Sequence, residues 1–168
     1  MPDRLPDVVD PISLAEKGAH LSGRLSLHKL DRLPDELTER EGDVSVDLLF
    51  GREGRKSCIR GEISAELKFL CQCCLEPMVL PVNCKVDLVV VRSLDEAKLL
   101  PESQEPLMLE SGTEIALADI VQDELLLAVP VIPQHFDCST YNKSVAAPKR
   151  PNPFSELARL KKPHTQEN

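Results

Sequence analysis

Residues 71–77 read Cys71-Gln72-Cys73-Cys74-Leu75-Glu76-Pro77, a Cys-x-x-Cys pair with a third thiol inside it. Farther along, His135-Phe136-Asp137-Cys138 offers an imidazole and a thiol at the same two-residue spacing. Thiolate and imidazole are the ligands that a structural zinc ion takes, usually as two closely spaced pairs. A dithiol at such spacing can also do redox chemistry, but that calls for the first cysteine at a helix N-terminus, where the dipole favours the thiolate. The third reading is a sulfur-rich turn with no chemistry, with His135 and Cys138 as loop residues. A mixed second pair is a weaker signal than a repeated Cys-x-x-Cys. The sequence alone therefore commits to no metal and no cofactor. Zinc is kept as the candidate, with Cys71, Cys74, His135 and Cys138 as its ligands, and the default expectation is ordinary turn and loop residues.

The segments that would position the first pair are strand-like. Ile59, Ile63, Ala65, Leu67 and Phe69 alternate with Arg60, Glu62, Ser64, Glu66 and Lys68 before it, and Leu80, Val82, Cys84, Val86, Leu88 and Val90 alternate with polar residues after it. Period-2 alternation over such lengths predicts two half-buried antiparallel strands, with residues 71–77 in the turn between them. No helix follows Cys71, which counts against the redox reading. Cys84 falls on the apolar phase and is expected in the core, whereas Cys58 falls on the other phase and is expected at the surface. Two earlier strands are predicted at 19–27 and 44–50, with Gly51-Arg52-Glu53-Gly54 as the turn into the long strand. A short helix is expected at 11–18 with Ser13 as its cap, and a helical turn or loop at 34–40. Residues 94–110, acidic and with Pro101 and Pro106, are expected to form a mobile loop ending in a short edge strand near 106–110. A helix at 117–129 should bury Val121, Leu125 and Ala128, expose Asp119, Gln122 and Asp123, and end at Pro130. The fold class expected is α+β: an antiparallel β-meander or partly closed sheet with a few packed helices and an irregular basic C-terminal arm.

Composition narrows the function. The chain has 168 residues, enough for one domain with a real core, and with aromatics at 3% and no tryptophan that core must be aliphatic. The formal charge is −8, which excludes a body that coats nucleic acid by bulk electrostatics. Residues 149–168 nevertheless carry five cations against two carboxylates, a net of +3, so the remainder holds −11. Two domains of behaviour follow: an acidic α+β body at 1–148 and a basic arm at 149–168 with a short amphipathic helix. Lys149, Arg150, Phe154, Arg159, Lys161 and Lys162 are the candidate contacts to RNA or to a partner. The strands lack the aromatic pair that stacks bases on an RRM sheet. The N-terminus lacks a basic stretch followed by an apolar run, and the longest apolar segment is too short to span a bilayer. Six cysteines in this context read as cytosolic thiols rather than a disulfide framework. A cytoplasmic protein without membrane contact is expected.

Catalysis finds little footing. There is no Gly-x-Ser-x-Gly, no phosphate-binding glycine loop and no His-Glu-x-x-His. Asp119, Asp123 and Glu124 sit close together on one predicted helix, but solvated carboxylates in the first half of a helix are common and suit its dipole.

Three segments together resemble the YceD family, the large ribosomal RNA subunit accumulation proteins. The hairpin turn at 70–77 is similar to that family's Cys-x-Arg-Cys pattern. Asp123-Glu124-Leu125-Leu126-Leu127-Ala128-Val129-Pro130-Val131-Ile132-Pro133 resembles its acidic-then-apolar helix ending in prolines, and Pro151-Asn152-Pro153-Phe154-Ser155-Glu156-Leu157-Ala158-Arg159-Leu160-Lys161 its Asn-Pro-Phe signature. The chain departs from the pattern at Cys73, where arginine is usual, and in retaining only Cys138 of a C-terminal cysteine-rich segment. The resemblance implies a non-enzymatic cytoplasmic role in synthesis, processing or stability of large-subunit ribosomal RNA, that is, in ribosome biogenesis. The partner would be the large-subunit ribosomal RNA precursor, a basic ribosomal protein escorted by the acidic body, or both, with no small-molecule substrate.

Overall fold

The computed structural model describes residues 5–34, 36–102, 104–109 and 113–138. The expected C-terminal arm and its short helix lie outside them. Among the described residues, eight strands and three α-helices follow in order: β1 (Val8–Val9), α1 (Pro11–Lys17), β2 (His20–Ser26), β3 (Leu37–Glu39), β4 (Asp43–Glu53), β5 (Lys56–Leu70), β6 (Pro77–Val91), α2 (Leu94–Lys98), β7 (Glu105–Met108), β8 (Ile115–Ala116) and α3 (Leu117–Ala128), with one 3-10 turn at Leu27–Lys29. The class is α+β, dominated by strands.

The main sheet runs β2-β4-β5-β6-β7, with β3 also on β5. All its pairings are antiparallel except β6 with β7, which is parallel. The sheet is open, with β2 and β7 at its edges, so the partial closure expected from the sequence is not seen among the described residues. β4 is longer than its apolar run and reaches Glu53, leaving Gly54-Arg55 as a two-residue turn closed by the Glu53–Lys56 pair. Gly54 takes φ 63° there, the left-handed conformation that such tight hairpins demand.

One face of this sheet is apolar. Val44, Val46, Leu48 and Phe50 of β4, Ile59, Ile63, Leu67 and Phe69 of β5, and Val82, Cys84, Val86 and Leu88 of β6 point into a single core. The core is roofed by Ala15 of α1, by Leu27, Leu30, Leu33 and Leu37, and by Leu117, Ile120, Val121 and Leu125 of α3. Each buried Val, Leu, Ile or Phe among them contributes roughly 2 kcal/mol by leaving water. The 27–42 excursion between β2 and β4 is tied by Arg40, whose guanidinium donates to the carbonyls of Leu30 and Leu33 at 3.1 Å each. The turn or loop expected at 34–40 is thus partly strand β3.

Several details correct the sequence reading. Asp10, not Ser13, caps α1: its Oδ1 accepts from the N–H groups of Ile12 and Ser13 at 3.0 Å each, with Pro11 in the first turn. Residues 94–110 are not structureless. Ser93 caps α2 by accepting from the Glu96 N–H at 3.2 Å, while the edge strand expected near 106–110 is present as β7 and pairs parallel to β6. Cys58 is buried rather than exposed. It pairs with Gly51 and Val89, and Val89 and Val91 on the same face are themselves buried. This end of the β5–β6 hairpin is therefore covered on both faces. On α3, Gln122 and Glu124 are buried while Ala128 is exposed. Gln122 is drawn inward because its Oε1 accepts the Arg32 N–H at 2.7 Å, while Asp123 meets the Arg32 guanidinium at 2.7 Å.

Candidate metal centre

The cysteine turn sits at the tip of the β5–β6 hairpin, whose fifteen-residue arms pair from Cys58–Val89 to Leu70–Pro77. Long paired arms with one face in the core hold that tip in a fixed place. The turn is locked by its own backbone: the Cys71 N–H donates to the Glu76 carbonyl at 2.9 Å, and the Leu75 N–H to the Cys71 carbonyl at 2.8 Å. Leu75 has φ 61°, the sole left-handed non-glycine residue among those described. A branched side chain pays of order 1 kcal/mol there. Just beyond it, the Glu76 N–H faces the Cys74 sulfur.

The second pair arrives from the far side of the core. After α3 the chain passes Pro130 and returns to the hairpin tip, where the Gln72 N–H donates to the Pro133 carbonyl at 2.9 Å. His135 and Cys138 then complete a group with Cys71 and Cys74 in which the four ligand atoms all lie within 4.8 Å of one another. Cys71 Sγ lies 3.9 Å from Cys138 Sγ, and Cys74 Sγ lies 3.4 Å from His135 Nδ1. Cys71 and Cys138 are buried and the other two half-buried, while Cys73 stands outside the group. All four candidate ligands named from spacing are thus brought to one point. The remaining candidates, Lys149, Arg150, Phe154, Arg159, Lys161 and Lys162, lie outside the described residues.

Ionisation in the cluster is uneven. Burial opposes the Cys71 thiolate, but the backbone N–H groups of Cys74, His135 and Cys73 face its sulfur and together bring its pKa down to about 6. The His135 N–H reaches that sulfur at 3.5 Å. At Cys74 the Glu76 N–H favours the thiolate, yet burial and the neighbouring Cys71 and Cys138 sulfurs prevail and push it up to about 11. Three sulfurs so close repel one another's charge. Elsewhere, burial raises the thiols of Cys58 and Cys84, and Cys84 donates to the Glu124 carbonyl at 3.5 Å in the core.

The helix carboxylates do not form a catalytic pair: Asp119 is exposed, Asp123 is engaged by Arg32, and Glu124 turns inward. Burial raises Glu124 to about 7, helped by the charges of Glu105 and Asp123. It lines a cleft of about 430 Å³ with Leu88, Leu107, Ile120 and Leu127. This buried carboxylate was not foreseen; the only signal for it is its place one turn after Ile120 on the covered side of α3.

No helix among the described residues is long and apolar enough to cross a membrane. No solved structure matches the chain. The model of the family described as large ribosomal RNA subunit accumulation protein YceD matches residues 59–161, a stretch that includes both ligand pairs. A Haemophilus influenzae protein named large ribosomal RNA subunit accumulation protein YceD is 32% identical over 94% of this chain and 97% of its own length. A family match that begins inside β5, takes in the whole hairpin tip and α3, and is joined by near full-length identity leaves one assignment: the chain belongs to the YceD family.

Proposed function

We propose that this protein is a non-enzymatic factor in the synthesis, processing or stability of large-subunit ribosomal RNA, acting in the cytoplasm. The observation that carries the reading is the 32% identity, over nearly the whole of both chains, to a protein named for the accumulation of that RNA. The charge layout supports a division of labour. On the open face of the sheet, Arg60 is held between Asp87 and Glu53 at 3.0 and 2.7 Å, and Lys68 is paired with Glu39. At these two positions a phosphate would have to displace those carboxylates. The cations of the 149–168 arm, with Phe154 among them, are the better contact to RNA phosphates. Depleting the protein should lower the ratio of large-subunit to small-subunit ribosomal RNA. An unchanged ratio across growth temperatures and media would sink the reading.

The acidic body favours a second reading, in which the protein escorts a basic ribosomal protein. With +3 in the arm and −8 overall, residues 1–148 carry −11, a field that steers a cationic partner and shields its charge before assembly. A pull-down separates the two: one basic protein recovered after nuclease treatment supports the escort, and recovery that nuclease abolishes supports RNA.

A further inference from the structure

We propose that Cys71, Cys74, Cys138 and His135 form a tetrahedral zinc(II) site that fastens the chain beyond α3 to the tip of the β5–β6 hairpin. Spacing in the sequence left this set as one candidate among three; the folded positions decide in its favour. Zinc bonds of about 2.3 Å to sulfur and about 2.0–2.1 Å to nitrogen, set tetrahedrally, place two thiolate sulfurs roughly 3.8 Å apart and a sulfur and a nitrogen roughly 3.5 Å apart. The observed separations are 3.9 Å for Cys71–Cys138 and 3.4 Å for Cys74–His135. Three thiolates and one imidazole are a donor set suited to zinc, and a closed four-ligand set leaves no position for a substrate, as a structural site requires.

Two further observations point the same way. The hairpin tip is already shaped around sulfur: N–H groups of Cys73, Cys74 and His135 face Cys71, and Leu75 adopts its left-handed conformation where the Glu76 N–H meets Cys74. Such N–H···S contacts are the outer layer that orients thiolate ligands. Independently, the 130–138 segment buries few of its large side chains. Its large apolar side chains face solvent, with Val131 99%, Ile132 63% and Phe136 fully exposed. It meets the hairpin tip at the Gln72–Pro133 backbone bond and at the cluster of Cys71, Cys74, His135 and Cys138. An ordered segment whose buried apolar side chains are as small as Pro133 gains from another source of free energy, and a bound ion is one.

The site does not depend on the ribosomal reading, and its test has no ribosomal component. Untagged full-length protein, purified under reducing conditions from zinc-supplemented cells, should carry close to one zinc per chain by elemental analysis. Cys74→Ser and His135→Ala should lower occupancy by at least ~10-fold, whereas Cys73→Ser should leave it unchanged. Should the ligand variants fail to fold, cobalt(II) added to metal-stripped wild type provides the second measurement. Intense visible bands of a tetrahedral thiolate complex, lost on adding zinc, support the site. A folded wild type with no zinc and no such cobalt spectrum overturns it. So does zinc retained at full occupancy in Cys74→Ser, or a Cys71–Cys138 disulfide found in protein freshly isolated from cytosol.

Discussion

A single hydrogen atom decides how closely β4 and β5 approach at position 61. A Cβ built on Gly61 would stand 1.9 Å from the Asp47 carbonyl oxygen and 3.0 Å from the Leu48 Cα, both backbone atoms that cannot swing aside. Gly61→Ala is expected to cost about 3 kcal/mol, read as a lower urea midpoint with an unchanged slope. A smaller loss would mean that the two strands can part locally. Glu124 makes a prediction of opposite sign. Its folded pKa of about 7 lies above the ordinary 4.5, so between those values the folded state holds a proton that the unfolded state has lost. Its contribution to stability is complete below pH 4.5 and declines as pH rises through 7. Glu124→Gln removes that decline and should gain about 2 kcal/mol on wild type at pH 8 relative to pH 5. Equal differences at both pH values would show that the carboxylate is solvated. Neither residue was legible in the sequence. Gly61 interrupts an alternating strand without stating why, and Glu124 reads as a surface charge until Leu88 of β6 and Leu107 of β7 line its side of α3.

At the scale of elements, signals that rest on local chemistry were readable, though not always by the right residue. α1 lies where the 11–18 expectation put it, but Ser13 falls inside its first turn, and the residue just before Pro11, Asp10, is the one placed to meet the free N–H groups. The cap itself should be worth about 1 kcal/mol, so Asp10→Ala is expected to lower stability by that amount at pH 7. The Ser13 N–H is the largest influence on Asp10, and its carboxyl lies below the ordinary 3.8. The carboxylate's contribution is present above that value and is lost as pH falls below it. The gap between variant and wild type should close in acid; a gap independent of pH would place the cap elsewhere. In the 94–110 region the edge strand was legible and α2 was not. Ser93-Leu94-Asp95-Glu96 has the spacing of a capping box; Ser93 makes its half of it, while the Glu96 carboxylate reaches one residue farther back and accepts from the Arg92 N–H at 2.8 Å. The parallel placement of β7 was beyond reach, because parallel pairing is set by a crossover and leaves no period of its own in a four-residue strand.

For the whole molecule, the β5–β6 hairpin was visible because alternation survives wherever one face is core and the other water. It failed at Cys58, where both faces are covered. The convergence of His135 and Cys138 on the hairpin tip was legible as ligand type but not as position, since what returns the chain there is the docking of α3 on the core. That docking is completed by the smallest sheet in the fold. β1 and β8 pair Val8 with Ala116 and Val9 with Ile115, more than a hundred residues apart in the chain, and the Leu117 N–H donates to the Asp7 carbonyl at 3.0 Å. The consequence is kinetic. β4, β5 and β6 form from neighbours along the chain, whereas the β1–β8 contact must close the longest loop in the body and has only two residue pairs to reward it. It should therefore form after the folding barrier has been crossed and act as a latch on the way out. Val9→Ala, at a buried position, is expected to speed unfolding several-fold while leaving the refolding rate nearly unchanged; a slowed refolding arm in stopped-flow chevrons would instead put this contact in the nucleus.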